Sequence, residues 1–357
     1  MRVMSVVGNR PQFVKAAPLC RALRRGCEEI LVHSGQHYDP ELADLFFDEL
    51  GIPEPDHALG IGPGTPLQQL AGMLTALEDL IGRERPDVVL VYGDTTTTLA
   101  GALAAAKTAT PLAHVEAGLR SFDKTMPEEQ NRVVTDHLSG LLLCPTAAAV
   151  ANLAREGVTG GVHMVGDVMF DAALMFREAA LARPGAAAFG LEPGGYELVT
   201  VHRAAATDTP EALRALVEVL AAIPGPAVFP VHPRTRAKLE AAGLWEAASG
   251  LPNVRLVPPV GYLDFTALLV TARAVVTDSG GVQKEAFFHR VPCVTLRDTT
   301  EWVETVEAGV NTLTGMDARA VGRALDGARF PDDPPELYGD GDASGRIAAL
   351  VAEFAGR

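Results

Sequence analysis

The sequence predicts an α/β protein built from two Rossmann-like domains with a cleft between them. Three observations carry this expectation. Short aliphatic runs alternate with helix-period segments from end to end, the alternation comes as two successive series, and ionisable residues stand just after the apolar runs of both series. Repeated βα order gives parallel sheets covered on both faces. Ligands of such sheets bind outside the carboxyl ends of the strands. Polar residues contributed there by both series call for one cleft lined by two sets of strand ends.

The first series of strands is expected at Arg2–Val7, Ile30–His33, Asp87–Val91, Leu112–Val115, Leu141–Cys144 and Val162–Val165. The second is expected at Glu197–Val201, Ala227–Val231, Val254–Val257, Ala274–Thr277, Pro292–Leu296 and Asn311–Leu313. Helical periodicity marks the segments between them, such as Pro66–Ile81, Thr95–Lys107 and Pro210–Ala222. The break is expected near Gly166–Asp171, which gives an N-terminal domain over 1–168 and a C-terminal domain over 169–342. Arg183–Gly195 reads as a loop inside the second domain, and Pro331–Pro335 as an irregular segment. The closing segment 343–357, helical over Ala343–Phe354, is expected to pack back onto the first domain.

Bulk properties narrow the function. A chain of 357 residues has room for two cores, and 48% hydrophobic with 21% charged residues is ordinary for a globular protein. A formal net charge of -15 argues against nucleic acid, which clustered cations bind. Cys20, Cys27, Cys144 and Cys293 show neither CxxC nor metal-ligand spacing and read as reduced thiols, so no metal is expected. Met1–Val7 is too short for the apolar core of a signal peptide, and the uncharged stretch Leu138–Ala154 is interrupted by Pro145 and Asn152. A cytoplasmic protein without a membrane span is the expectation.

The run Val276-Thr277-Asp278-Ser279-Gly280-Gly281-Val282-Gln283-Lys284-Glu285 is the most informative segment. A strand ends in Asp-Ser-Gly-Gly and turns directly into a helix. Two glycines admit a bulky anion to the backbone, and the helix amides and dipole hold it. Glu285, one turn further in, is placed to accept hydrogen bonds from a ribose diol. The pattern reads as a nucleotide-sugar site, although small residues at a strand-to-helix turn also serve packing alone. Other strand ends carry Arg10, Asp94, Glu116, His202 with Arg203, and His232. Asp94 precedes four threonines and serves either as a helix cap or in chemistry. Glu116, an acid before a small-residue turn, favours chemistry. Glu128 and Glu129 follow Pro127, where acids complement a helix dipole, so residue pattern alone favours a structural role. His202-Arg203 suggests a ligand-facing pair, whereas His232 and Arg234 suit a turn equally well. Arg10, before Pro11, is well placed for a phosphate, and Lys15 lies near the same helix start.

Seven motifs occur in one order: Gly8-Asn9-Arg10-Pro11-Gln12, Tyr92-Gly93-Asp94-Thr95-Thr96, His114-Val115-Glu116-Ala117-Gly118-Leu119-Arg120, Pro127-Glu128-Glu129 with Asn131-Arg132, Val201-His202-Arg203, Thr277-Asp278-Ser279-Gly280-Gly281 and Arg297-Asp298-Thr299-Thr300-Glu301. Together they resemble the non-hydrolysing UDP-N-acetylglucosamine 2-epimerases over essentially the whole chain. The resemblance implies a glycosyltransferase-B-like fold with its site in the cleft. It also implies interconversion of UDP-GlcNAc and UDP-ManNAc, without a cofactor, by a cytoplasmic homodimer that supplies surface polysaccharide precursors. It carries catalytic roles to Asp94, Glu116, Glu128 and His202, overturning the structural reading of Glu128. Arg10, Ser279, Gly280, Gly281 and Glu285 match its UDP contacts, Lys15 matches a basic residue of its first helix, and Arg203 and His232 join the expected substrate-binding set.

The sequence departs from that pattern at Asn9, where the family usually has a small residue or threonine, and at Ala204-Ala205-Ala206, where an acidic residue is expected. The pattern by which some relatives bind a second UDP-GlcNAc as activator is only partly kept at Gln36-His37-Tyr38-Asp39 and at those alanines. The stretch Ser34-Gly35-Gln36-His37-Tyr38-Asp39, with Gly261-Tyr262, Val282–Phe288 and Glu301–Glu304, looks closer to a branch that includes epimerases of UDP-2,3-diacetamido-glucuronate.

The chemistry follows from the C2 proton, which is not next to a carbonyl. No G-x-G-x-x-G fingerprint follows the first strand, so transient oxidation by nicotinamide is not expected. Expelling UDP from C1 first makes an oxocarbenium-like centre that acidifies C2–H. A carboxylate then takes the proton, leaving a glycal and UDP, and UDP adds back with protonation at the other face. The rival readings are a UDP-sugar glycosyltransferase, a nucleotide-sugar sensor without catalysis and a hydrolysing epimerase.

Overall fold

The computed structural model describes residues 1–35 and 50–356, apart from the Arg10 side chain. The chain forms two compact units, one of Met1–Met175 with Glu336–Arg357 and one of Phe176–Pro335. The Gln36–Asp39 motif lies outside the described residues.

The first unit holds strands β1 (Arg2–Val7), β2 (Glu28–His33), β3 (His57–Ala58), β4 (Val88–Tyr92), β5 (Leu112–Val115), β6 (Leu141–Cys144) and β7 (Val162–Met164). They form one sheet in the order β3-β2-β1-β4-β5-β6-β7, with every pairing parallel. The order reverses between β1 and β4, so a crevice opens at their carboxyl ends. Helices α1 (Arg10–Leu23), α2 (Pro66–Glu84), α3 (Thr96–Lys107), α4 (Pro127–Leu138), α5 (Ala147–Arg155) and α6 (Val168–Leu181) connect the strands. One core joins Met4, Val6, Val89 and Val91 of the sheet to Met73, Leu77, Leu80 and small residues of α3. Alanines and Gly101 let α3 approach β4 closely, and β4 is buried on both faces.

The closing helix Ala343–Ala355 also belongs to the first unit and packs on α1 and β6. Its first amides, Ala343 and Ser344, donate to the Asp171 carboxylate at 3.1 and 2.6 Å. Phe354 at its far end lies over Gly140, where a Cβ would come within 2.8 Å of the ring. The change from first to second unit falls inside α6, after Met175.

The second unit holds β8 (Glu197–Thr200), β9 (Ala227–Pro230), β10 (Val254–Val257), β11 (Ala274–Thr277), β12 (Cys293–Thr295) and β13 (Asn311–Leu313). Their order is β10-β9-β8-β11-β12-β13, again all parallel, with the reversal between β8 and β11. Alternate side chains feed two cores. Ala274 and Val276 of β11 face one, with Leu216 and Leu220, and Val275 faces the other, with Tyr196 and Leu268. Among its helices are α7 (Ala204–Thr207), α8 (Pro210–Ala221), α9 (Pro233–Ala241), α10 (Trp245–Ser249), α11 (Tyr262–Thr271) and α12 (Gly280–Phe288).

Strand positions agree with the sequence expectation to within a residue or two at each end. The exception is β3, a two-residue edge strand of His57 and Ala58 with no apolar run to announce it. The expected loop Arg183–Gly195 contains a 3-10 turn at Gly185–Phe189. All four cysteines are unbonded. Among the described residues no helix is long and apolar enough to cross a membrane, and no group of three or more His, Cys, Asp or Glu is placed to hold a metal ion.

Candidate active site

In the first unit the crevice between β1 and β4 is a cavity of ≈ 300 Å³ lined by Asn9, Gln12, Lys15, Gly93, Asp94, Glu128 and Asn131, among others. Gln12 ties its two sides together. Its amide nitrogen donates to the Tyr92 carbonyl at 2.9 Å, and its amide oxygen accepts from the Gly8 amide at 2.8 Å. Asp94 does not cap α3. That task falls to Thr95, in a reciprocal pair with Thr98. The Asp94 carboxylate instead receives Nε and Nη2 of Arg132 at 3.0 and 2.6 Å, and Asn131 donates to the Asp94 carbonyl at 2.8 Å.

Glu116 sits at the end of β5 with φ +70°, a strained setting for a side chain larger than glycine, and is ion-paired with buried Lys15. The Pro127-Glu128-Glu129 motif splits. Glu129 is buried and accepts from the amides of Ser121 and Phe122 at 2.8 and 2.9 Å and from Arg132 at 3.0 Å. Burial pushes its carboxyl up, but the two amides and Arg132 outweigh this and hold it below the usual carboxylate range. Glu128 is exposed at the cavity wall and has no ion-pair partner among the described residues. Arg10 opens α1, and its side chain lies outside the described residues.

In the second unit the switch point between β8 and β11 carries the Asp278–Gly281 turn. Ser279 caps α12, its hydroxyl accepting from the Val282 amide at 3.5 Å, and the Gly280 and Gly281 amides have no partner among the described residues. A Cβ on Gly280 would overlap the Glu301 carboxylate, which would have to leave its place between Arg203 and Arg297 to admit one. Asp278 is buried and latches the neighbouring strand end, accepting from the amides of His202 at 3.0 Å and Arg203 at 2.7 Å. The His202 ring lies 5.8 Å from that of His232, whose Nδ1 accepts from the Arg234 amide at 3.2 Å and so caps α9. Arg203 and Arg297 flank Glu301 at 3.8 and 2.9 Å. Burial pushes Glu301 up, but Arg297, a backbone amide and Arg203 bring it below its ordinary value. Gln283, on the buried side of α12, accepts from Thr300 at 2.6 Å and Asn311 at 3.0 Å, which fixes the 297–301 loop against the helix. Glu285 is 8% exposed, and burial raises its carboxyl to about 7, with Lys284 pulling the other way.

The family described as UDP-N-acetylglucosamine 2-epimerase matches residues 21–352 of the chain. The chain belongs to the UDP-N-acetylglucosamine 2-epimerase family. It is 46% identical over 365 residues to the UDP-2,3-diacetamido-2,3-dideoxy-D-glucuronate 2-epimerase of Pseudomonas aeruginosa, covering 99% of this chain and 100% of the relative. It is 45% identical over 357 residues to a UDP-N-acetylglucosamine 2-epimerase homolog of Methanococcus maripaludis, with 98% and 99% covered. The crystal structure of Methanocaldococcus jannaschii UDP-GlcNAc 2-epimerase in complex with UDP-GlcNAc and UDP superposes with a TM-score of 0.91 at 39% identity, covering 99% of this chain and all of that one. The protein is thus an isomerase of the epimerase kind, on two parallel Rossmann-like sheets of the glycosyltransferase-B class.

Within this epimerase, Lys15, Asp94, Glu116 and Glu128 gather at one switch point, and His202, Arg203, Ser279, Gly280 and Gly281 at the other. Glu285 follows on the buried side of α12. Residue pattern did not single out Arg132, although it bridges Asp94 and Glu129. The available signal was spacing: Glu128, Asn131, Arg132 and Thr135 fall on one helical face.

Gly93 has φ +63°, and a Cβ there would lie 3.0 Å from Lys15 Nζ and 3.3 Å from the Glu116 carboxylate. Gly93→Ala is therefore expected to cost about 1 kcal/mol of stability and to lower kcat at least ~10-fold by displacing that pair. Steady-state kinetics and thermal unfolding check this. Unchanged kcat would show that the pair tolerates displacement.

Proposed function

We propose that this epimerase inverts C2 of a UDP-sugar, interconverting UDP-GlcNAc and UDP-ManNAc. The observation that carries the reading is the clustering of Asp94, Glu116 and Glu128 at a switch-point crevice. Inversion needs a proton taken from one face of C2 and another delivered to the opposite face. At least two carboxylates therefore work on opposite faces, while a third stabilises positive charge at C1.

In the elimination the C1–O bond breaks and its electron pair leaves with UDP. The C2 proton passes to a carboxylate and a C1–C2 double bond forms. The reverse sequence on the other face gives the epimer. Arg10, Lys15, His202, Arg203 and the amides of Ser279, Gly280 and Gly281 meet the diphosphate charge. Glu285 takes the ribose diol, and His232 borders the same end of the sheet. Removing one such electrostatic donor costs about 10²–10³ in rate.

The whole-length identity of 46% to the Pseudomonas aeruginosa enzyme favours a second substrate, UDP-2,3-diacetamido-glucuronate. Incubating the protein in D2O with each sugar nucleotide separates the two readings. One is expected to epimerise with deuterium entering C2, and Glu116→Gln is expected to release glycal and UDP. Epimerisation with the C2 hydrogen fully retained would eliminate this route, and free ManNAc would reveal a hydrolase. We also propose a cytoplasmic homodimer supplying polysaccharide precursors, and a single-chain mass in light scattering would count against the dimer.

A further inference from the structure

Behind the carboxylates of the first unit lies a buried polar chain that the proposed reaction does not use. His114 is on β5, two residues before Glu116, and is fully buried. Its Nε2 is 2.7 Å from the carbonyl oxygen of Gly93, the residue before Asp94, and its Nδ1 is 2.7 Å from Asp136 Oδ1. The other Asp136 oxygen accepts from the Gly118 amide at 3.1 Å and from Arg120 Nη1 at 2.7 Å. Arg120 continues to Glu156 through two bonds of 2.7 Å.

Two consequences follow from these contacts. First, the turns bearing Asp94 and Glu116 are both tied to one ring, alongside the Asn131 bond to the Asp94 carbonyl and the backbone bonds from Gly93 to Val115 and from Glu116 to Leu143. The Asp94 turn is held through the Gly93 carbonyl, and the Glu116 turn through Asp136 and the Gly118 amide. Gly93 at +63° and Gly118 at +81° adopt positive φ freely, but Glu116 has φ +70°, which a side chain larger than glycine keeps only when its surroundings hold it there. Secondly, both ring nitrogens face oxygen acceptors. A carbonyl can only accept, and a neutral imidazole offers one N–H. Both contacts are satisfied as donations only by a ring carrying two protons.

We infer that His114 is a doubly protonated positioning residue that fixes the spacing of the Asp94 and Glu116 turns. This rests on the proposed catalytic use of those two acids. The groups facing the ring and its partner are the Gly93 carbonyl from the turn after β4, Asp136 from α4, Arg120 from the loop before α4, Glu156 after α5, and the Cys144 thiol of β6 near Asp136. Two cations thus balance two carboxylates, and the thiol, raised to about 12 by burial, adds no charge near neutral pH.

The first test is a long-range nitrogen NMR spectrum of the histidine rings of the intact protein at pH 7.5, with the His114 signals assigned by their loss in His114→Gln. Both His114 nitrogens are expected to be of the protonated type, and one unprotonated ring nitrogen overturns the proposal. This readout does not depend on activity, so it stands even if neither UDP-sugar is epimerised and the functional reading fails. The second test is kinetic. For His114→Gln, kcat is expected to fall ~10²-fold while KM stays within about twofold, the pattern of misplaced chemistry with intact binding. A purely structural role would lower the unfolding midpoint and leave kcat per folded enzyme unchanged, and that result would also overturn the proposal. If His114→Gln does not fold, Asp136→Asn takes its place. Its amide donates to a ring kept as one tautomer, so partial kcat is expected, and full kcat would sink the idea.

Discussion

Glu285→Gln is expected to stabilise the ligand-free protein at pH 8 while weakening its hold on UDP. Glu285 is 8% exposed on α12, and burial lifts its carboxyl from the ordinary 4.5 to about 7. A raised carboxyl pKa means that the fold favours the neutral acid. Below about 4.5 the group is protonated whether the chain is folded or not, and nothing is lost. As pH rises from there through about 7, the unfolded chain ionises freely while the folded one resists, so stability falls. Above 7 the full penalty applies, about 3 kcal/mol, because each tenfold change in the protonation equilibrium is worth ~1.4 kcal/mol. A neutral amide of similar shape removes it. Denaturant unfolding at pH 8 and pH 5.5 should show a gain that shrinks at the lower pH, and an equal gain at both would rule out this cause. The same carboxylate is the one proposed above to accept from a ribose diol, so the variant is expected to bind UDP roughly 10–100-fold more weakly, the worth of hydrogen bonds to a charged acceptor. In the parent protein, UDP affinity measured by calorimetry should rise with pH through about 7 and proton release should accompany binding.

Arg132→Met is expected to be the most damaging single change in the first unit outside the acids themselves. Its guanidinium joins Asp94 to Glu129, and Glu129 in turn holds the amides of Ser121 and Phe122. Removing the cation leaves two carboxylates without their counter-charge, one of them almost wholly buried. Breaking a buried pair in this way costs about 3–5 kcal/mol. It also frees the Asp94 side chain, so kcat should fall ~10²-fold or more. Arg132→Lys keeps the charge but cannot reach both partners with a planar fork, and should recover stability better than rate. Parental stability in Arg132→Met would show that the bridge contributes nothing.

The fold was largely legible because its strands are buried on both faces. Such strands read as unbroken aliphatic runs, and β4, β5, β6 and β11 are all of this kind. Strand β3 was invisible because a two-residue edge ladder has no pattern of its own. Acids and bases at strand ends were legible because topology alone decides what stands there. The partners were not: Arg132 belongs to Asp94 across 38 positions, and Asp278 to His202 across 76. Local spacing carries no information about such pairings. Glu128 and Glu129 make the same point, since adjacent acids after a proline look alike until one is seen turned to backbone amides and the other to the cavity.

The closing helix has a consequence for biosynthesis. Its first amides rest on Asp171 and its Phe354 rests over Gly140, yet the whole of Phe176–Pro335 is translated before it. The first unit therefore emerges from the ribosome with a gap in its wall, exposing apolar surface on α1 and β6 until this helix follows. Loss of this helix would thus harm the half that was made first.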